Sequence, residues 1–111
     1  MQHIDMIRLS EKQKQQLITL KRKTGVENWN VLCRWALCMS LADTTIPPKE
    51  NIPSDSNVEM TWRTFAGAEH KIYESIVLFR YKNDMTEQNI HDFIKTHISR
   101  GLNILLKAPT L

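Results

Sequence analysis

The chain has few of the residues that carry catalysis or bind cofactors. It has two cysteines, Cys33 and Cys38, and their spacing inside a predicted helix sends them to different sides and matches no zinc or dithiol motif. Both are expected to be buried, reduced and inert. Only three glycines occur in 111 residues, which excludes a phosphate-cradling Gly-rich loop and low-complexity structure. No apolar run reaches the roughly 18 residues a membrane span needs, and no charged-then-apolar leader opens the chain, so a cytoplasmic protein without membrane contact is expected. No serine or cysteine nucleophile motif is present. No carboxylate pair has the character of a two-metal nuclease site, although Asp84, Glu87 and Asp92 can gather where the last helix starts. Their plainer role there is to complement the helix dipole. His3, His70 and His91 are scattered over expected surface positions, while His97 falls in an apolar arc and reads as a core histidine. The sequence therefore nominates no catalytic residue, no metal ligand and no cofactor.

The remaining composition is that of a globular protein. Hydrophobic residues make up 41% and charged residues 24% of a chain whose length suits a single domain over residues 1–111. The formal net charge of +3 is unevenly spread. Residues 1–26 carry Arg8, Lys12, Lys14, Lys21, Arg22 and Lys23 against Asp5 and Glu11, a local +4. Residues 43–59 carry Asp43, Glu50, Asp55 and Glu59 against Lys49, a local −3. One end of the chain thus favours an anionic partner and the middle repels one.

A mainly α fold is expected, with four helices, two short strands and no internal repeat. His3 to Leu9 alternates like a strand with one packed face. Ser10 and Gln13 have the form of a capping box, so a first helix runs from Glu11 to Thr24 and ends at Gly25 in the left-handed C′ position. Its seam is Leu17 and Leu20 with Ile18 to one side. Lys12, Arg22 and Lys23 share the opposite arc, and Lys14 and Lys21 stack near the seam's edge. A second helix, capped at Asn28 or Glu27 and running to Asp43, is apolar on nearly every side, with Arg34 as its only cation. Thr44 to Val58, rich in proline, is a long loop of the kind that often carries function. Glu59 to Phe65 reads as a second strand, with Met60 and Trp62 on one face and Arg63 and Phe65 on the other. After a turn at Ala66-Gly67, a third helix spans Ala68 to Lys82 with Ile72, Tyr73, Ile76, Val77 and Phe79 at helical spacing. A fourth, capped by Thr86, carries Ile90, Phe93, Ile94, His97, Ile98, Gly101, Leu102 and Leu105.

Two surfaces follow. Arg8, Lys12, Lys14, Lys21, Arg22 and Lys23, with the backbone amides at Gly25, form a candidate phosphate-contact surface, which grips a nucleic-acid backbone without reading sequence. A helix apolar all round needs neighbours on every side, so Trp29, Leu32, Trp35, Leu37 and Met39 are the candidate oligomer interface. A basic strand followed by two helices gives the N-terminal half a ribbon-helix-helix-like character, and a transcriptional regulator of that kind is one alternative function. Its strand offers a poor set for reading bases, and about 65 residues follow where such domains stop. A metal-dependent DNA nickase whose carboxylates converge only in the fold is another, and a protein scaffold built on the second helix and the proline loop a third.

The segment IRLSEKQKQQLITLKRKTG followed by WNVLCRWALCMSLAD resembles the N-terminal half of DndE, the small protein of the bacterial DNA phosphorothioation, or DNA sulfur modification, system. HISRGLNIL, with His97, Arg100 and Gly101, resembles that family's C-terminal helix. The resemblance covers nearly the whole chain and is most specific at Thr24-Gly25 and Leu32-Cys33-Arg34. It implies a mainly helical homo-oligomer, with a tetramer the expected form, that binds double-stranded DNA and prefers nicked duplex. It also implies work beside a cysteine desulfurase, a sulfur-transfer iron-sulfur protein and an ATPase in replacing a non-bridging phosphate oxygen with sulfur. The lysine-rich helix is implicated in DNA binding, and the matching positions are Lys14, Lys21, Arg22 and Lys23. A nicking activity suggested for the family finds no motif here.

Overall fold

The computed structural model describes residues 4–108. Strand β1 (Met6–Arg8) leads into α1 (Glu11–Thr24) and α2 (Trp29–Ala42); after a loop come β2 (Glu59–Thr61), the short α3 (Trp62–Ala66), a 3-10 turn (Gly67–Glu69), α4 (His70–Asp84) and α5 (Ile90–Lys107). The chain is mainly α, with four long helices and a two-stranded antiparallel ribbon.

Local chemistry sets α1. The Ser10 hydroxyl accepts the Gln13 N–H at 3.1 Å while the Gln13 amide oxygen takes the Ser10 N–H at 3.0 Å, so two otherwise orphaned donors are satisfied reciprocally. At the other end Gly25, at φ 76°, donates its N–H to the Lys21 carbonyl at 2.8 Å. Both ends agree with the capping pattern in the sequence.

The core is built around α2 and α5, the most extensively packed pair of elements. They run antiparallel: Ser40 meets His97 and Arg100, and one turn back Ala36 lies against Gly101. Helix α1 lies parallel beside α5. Gln13 Nε2 donates to the Lys95 carbonyl, Gln16 Nε2 to Asn103 Oδ1, and Lys23 Nζ to the carbonyls of Leu106 and Ala108. Leu32, Cys33, Ala36 and Leu37 of α2 and Ile94, Ile98 and Leu102 of α5 are fully buried.

Several boundaries differ from the sequence expectation. The first strand is Met6–Arg8; His3 lies outside the described residues. The strand expected over Glu59 to Phe65 stops at Thr61, whose hydroxyl caps α3 by accepting the Thr64 N–H at 3.2 Å. Trp62 and Phe65 then fall on one helical face and stack, ring centroids 5.2 Å apart. Three-residue spacing, not alternation, buries both. The third expected helix starts at His70 instead of Ala68, and α5 is capped by Asn89, which accepts the Asp92 N–H at 2.8 Å, instead of Thr86.

The strand-helix-helix order of the N-terminal half is present, with one difference from a ribbon-helix-helix dimer. β1 pairs antiparallel with β2 of the same chain, Ile7 opposite Met60, so the ribbon's second strand is supplied internally.

Candidate nucleic-acid interface and apolar faces

The six basic residues of the N-terminal segment do not have equal freedom. Arg8 on β1 forms an ion pair with Glu59 directly across the ribbon, its Nε 2.7 Å from the carboxylate. Lys14 donates to Asn57 Oδ1 at 3.0 Å and ties α1 to the loop before β2. Lys23 caps α5, donating to the Leu106 and Ala108 carbonyls at 3.3 and 3.0 Å, where a cation also complements the helix dipole. The Gly25 and Val26 amides are spent on the Lys21 carbonyl and the Thr24 hydroxyl, so that turn offers no free backbone donors there. Lys12, Lys21 and Arg22 are exposed and, among the described residues, have no side-chain hydrogen bond or ion pair. These three are the cations of the segment that are free to meet a phosphate.

The apolar helix resolves into two sides. Leu32 and Leu37, proposed from sequence as interface residues, are fully buried against α5 and belong to the chain's own core. Their spacing with Cys33, Ala36 and Ser40 makes one face. Trp29 is half-buried against the core, while Trp35 and Met39 remain 44% exposed. Cys38, expected to be buried, is exposed, and burial pushes the Cys33 thiol up to about 12, leaving it unreactive.

Sequence reasoning missed a second apolar face. In α4 only Val77 is fully buried. Ile72, Ile76 and Phe79, which the sequence places at helical spacing, point outward, Phe79 with 74% of its surface exposed. Helix α4 packs beside α2, where the Tyr73 hydroxyl meets the Cys38 thiol. Arg80 donates to the carbonyls of Leu41, Asp43 and Thr45 and pairs with Asp84. The α4 stripe and the outer side of α2 therefore lie on neighbouring elements. Isolated exposed apolar residues are ordinary, but several at helical spacing on adjacent helices mark an interaction surface.

A buried polar cluster closes the C-terminal end of α2. Arg100 Nε donates to Ser40 Oγ at 2.8 Å, Nη2 to the Ser40 carbonyl at 2.7 Å, and Nη1 to Thr45 Oγ1 at 2.9 Å. Ser40 Oγ lies 2.7 Å from His97 Nδ1. Ser40 Oγ thus accepts from Arg100 and shares a hydrogen bond with Nδ1, while the other ring nitrogen of His97 is Nε2. That atom is buried and without a partner among the described residues, and the ring stands edge-on to Phe93 at 4.6 Å. The expectation of a core histidine holds. Arg34, the cation of α2, donates to the Ala66 carbonyl at 3.2 Å beside Gly67.

Among the described residues no group of three or more His, Cys, Asp and Glu side chains converges as a metal site. No helix there is long and apolar enough to cross a membrane.

Comparison with known proteins supplies the family. The crystal structure of DndE from Escherichia coli B7A, described as involved in DNA phosphorothioation modification, superposes with a TM-score of 0.79 at 19% identity, covering 95% of this chain and 99% of that one. The crystal structure of a DndE G21/24K mutant gives 0.72 at 17% identity, covering 94% and 98%. At such identities these likenesses show the fold. No curated protein sequence matches significantly. The family model for DNA sulphur modification protein DndE matches residues 6–111, and the chain, which carries that family's fold over nearly its whole length, belongs to the DndE family.

Proposed function

We propose that this protein is the DNA-binding subunit of a DNA phosphorothioation complex and that it grips the DNA backbone through α1. The observation that carries the reading is the exposed, unpaired set Lys12, Lys21 and Arg22 on a rigid helix of a DndE-family chain. Cations held on one helix contact phosphates without reading bases. A nick lowers the energy needed to bend or open the duplex, so a backbone-gripping surface prefers nicked DNA through deformation rather than base contacts. In this reading the cytoplasmic protein holds nicked duplex while the sulfur-transfer and ATPase partners work on the backbone; it needs no cofactor and performs no catalysis itself.

The test is competition binding of intact and singly nicked duplexes of one sequence, at several salt concentrations and without metal. Lys21→Ala with Arg22→Ala is expected to weaken binding at least tenfold and to reduce the salt slope by roughly 2, about 0.9 for each phosphate contact removed. Lys23→Ala should act on stability rather than on the slope, because its ammonium is committed to α5. Equal binding by wild type and the double variant would remove α1 from the interface.

The protein is further proposed to be a homo-oligomer, with a tetramer expected. Support comes from the exposed Trp35 and Met39 on α2 and from Ile72, Ile76 and Phe79 on α4. A charge at Phe79, in Phe79→Glu, touches no buried core and is expected to reduce the subunit number measured by light scattering while leaving the circular dichroism spectrum unchanged. A monomeric wild type would sink this part. Oligomerisation would also repeat the basic arc, so the two variants should act together on DNA affinity.

A further inference from the structure

Residues 44–58 cross a groove that runs along α5 beside α1. The segment is fastened at several points: Lys95 Nζ donates to the Ile52 carbonyl at 2.9 Å and to Ser54 Oγ at 2.7 Å, and the Ser56 hydroxyl donates to the Leu9 carbonyl at 2.7 Å. Asp55 Oδ1 accepts the Glu11 N–H at 2.8 Å and so occupies the positive end of α1 with an internal carboxylate. Glu50 lies further along the groove, its carboxylate accepting the Ser99 hydroxyl at 2.8 Å. Two cavities flank it, of about 370 and 300 Å³, and Glu50 lines both. Lys12 and Asp55 line the first, while Arg100, Asn103 and Lys107 line the second. Glu50 is exposed and forms no ion pair among the described residues. A carboxylate is therefore laid without a paired cation across a groove with an ammonium lining each of its two cavities.

We propose that this groove is a second seat for the DNA backbone and that Glu50 is a built-in competitor for the phosphate that would sit there. The inference rests on the DNA-binding reading above. From Ser99 to Lys107, α5 rises about 12 Å at roughly 1.5 Å per residue. That matches three to four nucleotides of one strand at about 3.4 Å each. Lys12 near the start of α1 and Lys107 at the end of α5 place a cation towards each end of the groove, in addition to Lys21 and Arg22 at the end of α1. DNA engages it fully only when Glu50 moves off Ser99 or is neutralised, which makes affinity responsive to whatever touches the loop.

The experiment compares wild type, Glu50→Gln and Glu69→Gln for binding to intact and nicked duplexes at low and moderate salt. Glutamine keeps an acceptor for Ser99 and removes the charge. Glu69 is an exposed acid in the 3-10 turn, away from the groove lining, and controls for the change in net charge. Glu50→Gln is expected to tighten binding about fivefold, the order of a like-charge contact at about 4 Å across bulk water, as suits an exposed carboxylate. Glu69→Gln should change it by less than about twofold because salt screens distant charges. Lys107→Ala should cost more affinity in the Glu50→Gln background than in wild type. Equal effects of the two glutamine variants, or additive behaviour of Lys107→Ala, would overturn the proposal while leaving the α1 reading intact if Lys21→Ala with Arg22→Ala still weakens binding. Absence of binding by all of these proteins would overturn both.

Discussion

Replacing Gly101 with alanine is expected to destabilise the protein by about 3 kcal/mol or more, a large fraction of the roughly 5–15 kcal/mol that holds a domain folded. Intrinsic helix propensity argues the other way, since alanine gains about 1 kcal/mol over glycine inside a helix. The tertiary contact reverses the sign. A Cβ at Gly101 would collide with the carbonyl oxygen, carbonyl carbon and Cα of Ala36, which are backbone atoms that cannot rotate aside. The two small residues let α2 and α5 approach closely, so the added methyl would separate the central helix pair and loosen the buried packing around Leu37, Ile98 and Leu102. Gly25 makes the contrast. Nothing lies within 4 Å of a Cβ there, and only its φ of 76° is unfavourable to alanine, so Gly25→Ala should cost about 1 kcal/mol. Urea denaturation of the three proteins measures both effects. A Gly101→Ala protein as stable as wild type would mean that α2 and α5 do not meet backbone to backbone.

The second large effect is loss of stability in mild acid through His97. Burial, then the positive charges of Arg100 and Arg80, hold its pKa down at about 4 against an ordinary value of 6.5, with Asp84 opposing. The unfolded chain therefore binds a proton between these two values that the folded chain refuses. Stability is fully present above about pH 6.5 and falls as pH drops towards 4, by about 1.4 kcal/mol per pH unit and on the order of 3 kcal/mol in total. Asp43 adds to this acid loss only at lower pH. The Thr45 hydrogen bonds hold its carboxyl below the usual range, so its contribution is lost as pH falls through its depressed value. Urea midpoints from pH 7.5 to 4.5 should thus decline for wild type and flatten for His97→Gln, which keeps an acceptor for Ser40 but does not titrate. The same slope in both proteins would assign the acid sensitivity to other groups.

How much of this was legible depends on how far away each residue's partners lie. Helix α1 was readable to both ends because Ser10, Gln13 and Gly25 act on neighbours within a turn. The segment after β2 was misread since Met60 to Phe65 is too short to separate alternation from helical spacing, and the stacking of Trp62 on Phe65 decides it. In α4 the helical spacing marks apolar residues without placing them, and the helix lies at the edge of the molecule with Val77 inward and Phe79 outward. Periodicity identifies a face without saying what covers it. The buried Lys95, which pins the loop, left no signal in a sequence where lysine ordinarily reads as surface.

By itself the sequence determined a mainly α chain, the ends of α1, a basic first helix, an acidic middle segment and the resemblance to the DndE family, all of which rest on near-neighbour chemistry or on residue identity. The tertiary structure alone decided that Lys14, Lys23 and Arg8 are committed to Asn57, to the end of α5 and to Glu59, leaving Lys12, Lys21 and Arg22 without a side-chain partner among the described residues. It also decided that Leu32 and Leu37 face inward while Trp35 and Met39 face out. The physical reason is common to both: a side chain's freedom depends on groups from distant parts of the chain, which meet it only when α2 and α5 pack and carry the loop across α1.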